Sequence, residues 1–167
     1  MTKQVKPIPE GYHSVTPYLV VHDAARALDF YQRIFGAKEI MRMNNPQGRV
    51  GHAEIKIGDS LIMLAEETPN SGVRSPQSLN GSTVSIFVYF EDVDSVFHKA
   101  LAAGAKEVQR LADMFWGDRY GRLTDPFGHS WSLATHIEDV TPEEMGRRAQ
   151  EAAKAAQRAQ AAQSGNR

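Results

Sequence analysis

The sequence predicts an α+β fold made of two tandem βαβββ modules followed by a C-terminal helix, and three observations predict it. The string GAKEI at 36–40 returns as GAKEV at 104–108, sixty-eight residues later, and an aspartate (Asp23, Asp92) stands thirteen or twelve residues before each glycine. Arg49, Gly51, Gly58 and Ser60 are matched in the same order by Arg119, Gly121, Gly128 and Ser130, at a spacing of seventy. Each copy also has the same local pattern of one strand candidate, a capped amphipathic helix and three further strand candidates. Self-similarity at a nearly constant offset marks a duplicated unit of about seventy residues.

Taken in order, SVTPYLVV (14–21) and TVSIFVYF (83–90) are rich in β-branched and aromatic residues and read as the first strand of each copy. Pro17 gives the first of these a free edge or a bulge near its start. Asp23 and Asp92 are N-caps, because a short carboxylate accepts from the free amides of a first helical turn. Ala27, Phe30, Tyr31, Ile34 and Phe35 then recur at helical spacing, as do Val93, Val96, Phe97, Ala100 and Leu101. Gly36 and Gly104 close the two helices. The remaining strands are KEIMRM, GHAEIKI and SLIMLA in the first copy, and KEVQRL, GRLTD and HSWSLA in the second. NNPQG (44–48) and IGDS (57–60) supply hairpin turns. EETPNSGVRSPQSLNGS (66–82) is polar and rich in Pro, Gly, Ser and Asn, and reads as a linker without an element of its own. A single domain is therefore expected over 12–137, with modules at about 12–66 and 83–137, a linker at 67–82 and a tail at 138–167. In that tail, TPEE at 141–144 starts a helix with a capping hydroxyl, a first-turn proline and two acids. Beyond Met145 the tail has almost no large apolar residue, so an exposed helix is expected.

Composition narrows the function classes. The chain has 167 residues, 41% hydrophobic and 23% charged, with a formal net charge of −1 and no cysteine. Thiolate chemistry and disulfides are excluded, and no global charge draws the chain to nucleic acid or to an anionic membrane. The first residues lack the apolar stretch of a signal peptide and no run is long enough to span a bilayer, so a cytoplasmic location is expected. GHSWS and GDSLI begin like a nucleophile elbow but lack its closing glycine, and the duplication explains their likeness as matched hairpin ends. The six histidines show no metal-binding spacing. Phe87, Tyr89, Phe115, Trp116, Tyr120 and Trp131 cluster in the second module. Trp131 reads as core, whereas Trp116, flanked by charge, reads as a platform at the edge of a cleft. Arg119 is either an anion-holding group or, like its repeat partner Arg49, a member of a structural ion pair.

Two long segments carry a resemblance: VVHDAARALDFYQRIFGAKEI near the start and DRYGRLTDPFGHSWSLATH near the end. With the Asp125-Pro126-Phe127-Gly128 turn, they resemble the vicinal-oxygen-chelate superfamily of glyoxalase I, bleomycin-resistance proteins, fosfomycin-resistance enzymes and extradiol dioxygenases. GHAEIKIGDSLIMLAEE and FWGDRYG resemble its PhnB-like branch. The resemblance covers roughly 12–137. It implies that the modules form an open, cleft-bearing, barrel-like sheet and that the chain is a homodimer binding a small molecule. In metal-dependent members, His and Glu ligands come from the first and last strands of each module. Here the corresponding positions are Thr16, Ser85, Ser132, and Ile62 or, with a hairpin one residue longer, Met63. None is a competent ligand for a catalytic ion, so no cofactor is expected. The favoured reading is a metal-free binding protein that holds an amphipathic or aromatic ligand between Thr16, Ser85, Phe87, Trp116, Tyr120 and Ser132. The alternative is a lyase, isomerase or dioxygenase-type enzyme. His52 and Glu54, two apart on one strand, would then act as an acid–base pair, or hold a divalent metal ion with His129 or His136.

Overall fold

The duplication is visible in the order of elements. The structure, a computed structural model, describes residues 5–69 and 72–164. The first module runs β1 (Tyr18–Val21), α1 (Ala24–Phe35), β2 (Lys38–Asn44), β3 (Val50–Ile57) and β4 (Ser60–Glu66). After a short helix α2 (Pro76–Leu79), the second repeats it as β5 (Ser85–Tyr89), α3 (Val93–Ala102), β6 (Lys106–Asp113), β7 (Asp118–Thr124) and β8 (Ser130–His136). The helix α4 (Pro142–Ser164) follows. Two four-stranded mixed sheets result, ordered β1-β4-β3-β2 and β5-β8-β7-β6, with the first and last strand of each module parallel. Among the described residues no helix is long and apolar enough to cross a membrane.

Both long module helices start at their aspartate caps, and α1 stops at Gly36, whereas α3 is capped by Ala103, one residue before Gly104. Asp23 accepts from the Arg26 amide and Asp92 from the Ser95 amide, each at 3.0 Å. Gly36 ends α1 with φ +66°, a left-handed conformation that a β-carbon disfavours. The strand β1 begins after Pro17, which has no N–H to give, although its carbonyl still accepts from the Met63 amide of β4 at 2.9 Å.

The linker differs from its expected form. Residues 76–79 make the single turn α2, capped by the Ser75 hydroxyl, which accepts from the Ser78 amide at 3.3 Å. Glu67 organises this stretch by accepting from the Ser75 amide at 2.9 Å and the Ser78 hydroxyl at 2.8 Å. Hydrogen bonds from Ser75 and Ser78 hold its carboxyl down to about 2. His22 joins the cluster, its ring 2.7 Å from the Ser78 hydroxyl. The turn lies over Gly128, where φ is +92° and an added β-carbon would come within 2.9 Å of Pro76. Serine and proline in this stretch thus serve a cap and a first turn.

The core lies between the sheets and the helices α1 and α3, and its centre joins the modules. Trp131, Leu123 and Leu133 of the second sheet are fully buried, as are Ile55 and Leu64 of the first. Phe35 and Tyr31 of α1 reach across to Trp131, with ring centres 4.7 and 5.4 Å away. At this junction Asp125, 4% exposed, accepts four hydrogen bonds. The Tyr31 hydroxyl donates at 2.7 Å and the Trp131 indole at 2.8 Å. The Phe127 and His129 amides donate at 2.9 Å each. Burial and the Asp125 carboxylate push the Tyr31 hydroxyl well above the ordinary tyrosine value, so it stays a donor. His129 is buried and its Nε2 lies 2.9 Å from the Val20 carbonyl of β1, a second tie between modules.

The two last hairpins are not equal in length. Ile57 pairs with Ser60 across two residues, whereas Asp125 pairs with His129 across three. Met63, on the face of the first sheet that carries Glu54 and Tyr18, therefore corresponds to Ser132, and Ile62 is a core residue, 3% exposed. Arg49 and Arg119 are both structural: Arg49 pairs with Glu66, and Arg119 grips both oxygens of Asp94 and one of Asp113.

The Asp125 cluster sets a measurable hierarchy. Tyr31→Phe removes one of four donors and should cost about 1–2 kcal/mol. Asp125→Ala strands four donors at once and should cost about 3–5 kcal/mol. Urea unfolding followed by circular dichroism reads both.

Candidate ligand-binding face

Strand alternation places one set of side chains on the open face of the second sheet. On β5 these are Ser85, Phe87 and Tyr89, in register with Ser130, Ser132 and Ala134 of β8. On β7, Arg122, Tyr120 and Asp118 stand beside Ser132, Ala134 and His136. The opposite side chains, among them Trp131, Leu133 and Leu123, are buried against the helices.

Three hydroxyls meet near the centre of this face, with a fourth beside them. Ser132 lies 3.0 Å from Ser85 and 3.0 Å from the Tyr120 hydroxyl, and Ser130 donates to Ser85 at 3.2 Å. Beside them runs a strip of aromatic rings. Phe87 stacks on Tyr120 at 5.7 Å and contacts Tyr89 at 5.0 Å, and Trp116 meets Tyr120 edge-on at 5.7 Å. Phe87 is 46% exposed and Tyr89 59%, so this apolar surface is open to a ligand while Trp131 fills the core. Arg122 is exposed on the same face, with no ion pair or hydrogen bond among the described residues.

One end of the strip is charged. Asp118, 3% exposed, accepts from Tyr89 at 3.1 Å, from the Trp116 indole at 2.9 Å and from His136 Nδ1 at 2.8 Å. Tyr89 reaches it by crossing β8 above the small side chain of Ala134. The Asp118 carboxylate, and after it Asp139, hold the His136 imidazole above its ordinary value by stabilising the charged ring. The Trp116 platform is thus fixed by a buried acid that sequence reading had passed over.

A family profile described as the Glyoxalase/Bleomycin resistance protein/Dioxygenase superfamily matches residues 11–133. The chain belongs to that superfamily. An uncharacterized protein of Mycobacterium bovis is 44% identical over 135 residues, which is 79% of this chain and 89% of the relative. The crystal structure of TioX from Micromonospora sp. ML1 superposes with a TM-score of 0.58 at 29% identity, covering 75% of this chain and 99% of that one. A PhnB protein from Bacillus cereus shares the fold, with a TM-score of 0.59 at 22% identity over 74% of this chain and 99% of its own.

Metal ligation in this superfamily member can be tested against its donor atoms. The corresponding positions hold Thr16, Met63, Ser85 and Ser132, and the Ser132 hydroxyl is already bonded to two others. Among the described residues no group of three His, Asp or Glu side chains is arranged to hold a metal ion. These residues do not fit a catalytic ion of the usual kind. A rebuilt site fails on position as well: His129 is buried on the Val20 carbonyl, and His136 sits on the second sheet beside Asp118.

His52 and Glu54 do come together, but on the first sheet. They take the places there that Tyr120 and Arg122 take in the second, since Glu54 pairs with Met63 as Arg122 pairs with Ser132. His52 Nε2 lies 3.4 Å from Glu54, the Tyr18 hydroxyl is 3.2 Å from His52 Nδ1, and Tyr12 donates to the other Glu54 oxygen. The Tyr12 hydroxyl is raised by that carboxylate. Thr16 is separate from both clusters. Its hydroxyl lies 3.4 Å from the His13 carbonyl, and it lines a cavity of about 710 Å³ between the modules, with Ile57, Ile86, Phe87 and Tyr89. Five of the six ligand-binding residues named from sequence thus share one face, and Thr16 reaches it through the cavity wall.

The sign of the His136 shift gives a pH dependence. A histidine raised in the folded protein contributes stability that is complete below the unfolded value and is lost as pH rises through the folded one. A proton NMR titration should place His136 above the ordinary histidine value, and Asp118→Asn should bring it down.

Proposed function

We propose that this chain binds a planar aromatic or amphipathic small molecule on the open face of its second sheet, without a metal ion. The observation that supports this most directly is Ser132. At a position where metal-dependent members carry a ligand, its hydroxyl joins Ser85 and Tyr120 beside the exposed ring of Phe87. A ring system would stack on Phe87 and Tyr120, a polar substituent would reach the hydroxyls, and an anionic substituent would meet Arg122. Thr16 and the adjoining cavity give room for the body of the ligand, in the volume range of small-molecule sites. Both Glu54 oxygens are engaged, one by Tyr12 and one by His52, which weakens the case for His52 and Glu54 as the acid–base pair. The reading includes a homodimer: all of β2 is exposed, with Ile40 and Met43 more than half so, and a second copy would cover such an edge.

Two measurements test the reading. Purified protein loaded with excess Ni, Co, Zn, Mn or ferrous iron and then desalted should keep no stoichiometric ion by plasma mass spectrometry. Retention that His52→Ala or Glu54→Ala abolishes would overturn the metal-free reading. Planar aromatic compounds should quench Trp116 fluorescence, and Phe87→Ala should weaken that binding by about tenfold.

A further inference from the structure

The binding reading leaves the Asp118–His136 pair without a task, and the two nitrogens of that imidazole have different surroundings. Nδ1 is fixed 2.8 Å from a carboxylate that is 3% exposed and also held by Tyr89 and Trp116. The ring itself is half exposed, and Nε2 points outward, 3.0 Å from Asp139. The Asp139 side chain is fully exposed, so this contact competes with water and yields to a ligand. A carboxylate that takes the Nδ1 proton fixes the neutral tautomer in which Nε2 carries the lone pair.

Position adds to this. Tyr89 and Trp116, which share the Asp118 carboxylate, continue the aromatic strip of Phe87 and Tyr120 up to the imidazole. Ser132 and His136 lie four residues apart on the same side of β8, hence about 13 Å apart, the span of a molecule of two or three fused rings. A planar ligand held at the hydroxyl end would present its far end to Nε2.

We infer that His136 is a proton-transfer residue, with Asp118 as its positioning residue, acting on planar aromatic molecules that carry an acidic C–H bond. The inference rests on the binding reading above. In the step, the C–H bond breaks and its proton passes to Nε2. The electron pair left behind either expels a leaving group from the adjacent atom or is reprotonated by the same imidazolium at a second atom, so the reaction is an elimination or an isomerisation. No oxidant or reductant is consumed.

The charged surroundings set the pH dependence. Asp118 from β7 and Asp139 after β8 face the ring, Tyr89 donates to Asp118, and neighbouring Glu138 is paired with Arg148 of α4. The two facing carboxylates favour the imidazolium, so the basic form gains population above the ordinary histidine value, and turnover rises with pH through that point.

The test uses the full chain and 5-nitro-1,2-benzisoxazole, a planar probe. Loss of its C3 proton to a base breaks the N–O bond and leaves a coloured cyanonitrophenolate. Probe binding is followed separately by tryptophan quenching. The expected result is turnover about 10²-fold faster than by His136→Gln at equal probe binding. Asp139→Asn, which removes one of the two carboxylates facing the ring, should move the pH midpoint of turnover down. Equal turnover by His136→Gln, or binding of the probe without turnover, would overturn the inference and leave the binding reading intact. Absence of quenching would overturn both.

Discussion

The carboxylate of Asp125 stands at a point where both halves of the molecule must agree. It gathers a phenol from the first module and an indole and two amides from its own. A buried carboxylate is tolerable only when its lone pairs are taken, and here four donors take them. Because Tyr31 comes from α1, the first module's helix is pinned against the second module's core, and the Phe35–Trp131 contact follows from that placement. Once Trp131 is fixed inward, strand alternation decides the rest: Ser130, Ser132, Ala134 and His136 all face the open side. The candidate face is thus a consequence of how the core is tied.

On the proposed metal-free reading, hydroxyls at the ligand positions change the energetics of that face. An ion concentrates binding energy at one point and demands charged donors around it. Three hydroxyls that already bond one another offer short-range hydrogen bonds with little fixed charge, and leave the aromatic strip to supply contact area. Charge is sparse there, with Arg122 beside the hydroxyls and the Asp118–His136 pair at the far end. The first sheet has the complementary arrangement, with His52 and Glu54 tied up by Tyr18 and Tyr12.

Much of the fold could be read from sequence because local rules and the duplication agree. Asp23 and Asp92 cap, Gly36 terminates, and the alternation in β3 gives its faces directly. The short helix α2 was hidden because its serine, proline and asparagine are as much at home in a loop as in a capped turn. The face residues Ser85, Phe87, Tyr120 and Ser132 followed from strand parity and the family's ligand positions. Arg122 and the Asp118–His136 pair did not, since their meaning lies in cross-strand register, which a hairpin longer by one residue shifts. That extra residue also made Ile62 and Met63 indistinguishable in the sequence.

The lock at Asp125 has a direction. The place of Tyr31 in the second module is taken by Ala100, and the place of Asp125 in the first by Ile57, both buried and apolar. Neither module can therefore make this contact with a copy of itself: first must meet second. An ancestral single module that paired with its twin would have needed tyrosine and aspartate on the same chain, and two equivalent seams. With one partner on each half, neither half keeps this bond once the two are separated. The two halves have become hereditary complements, each carrying half of a bond that neither retains alone.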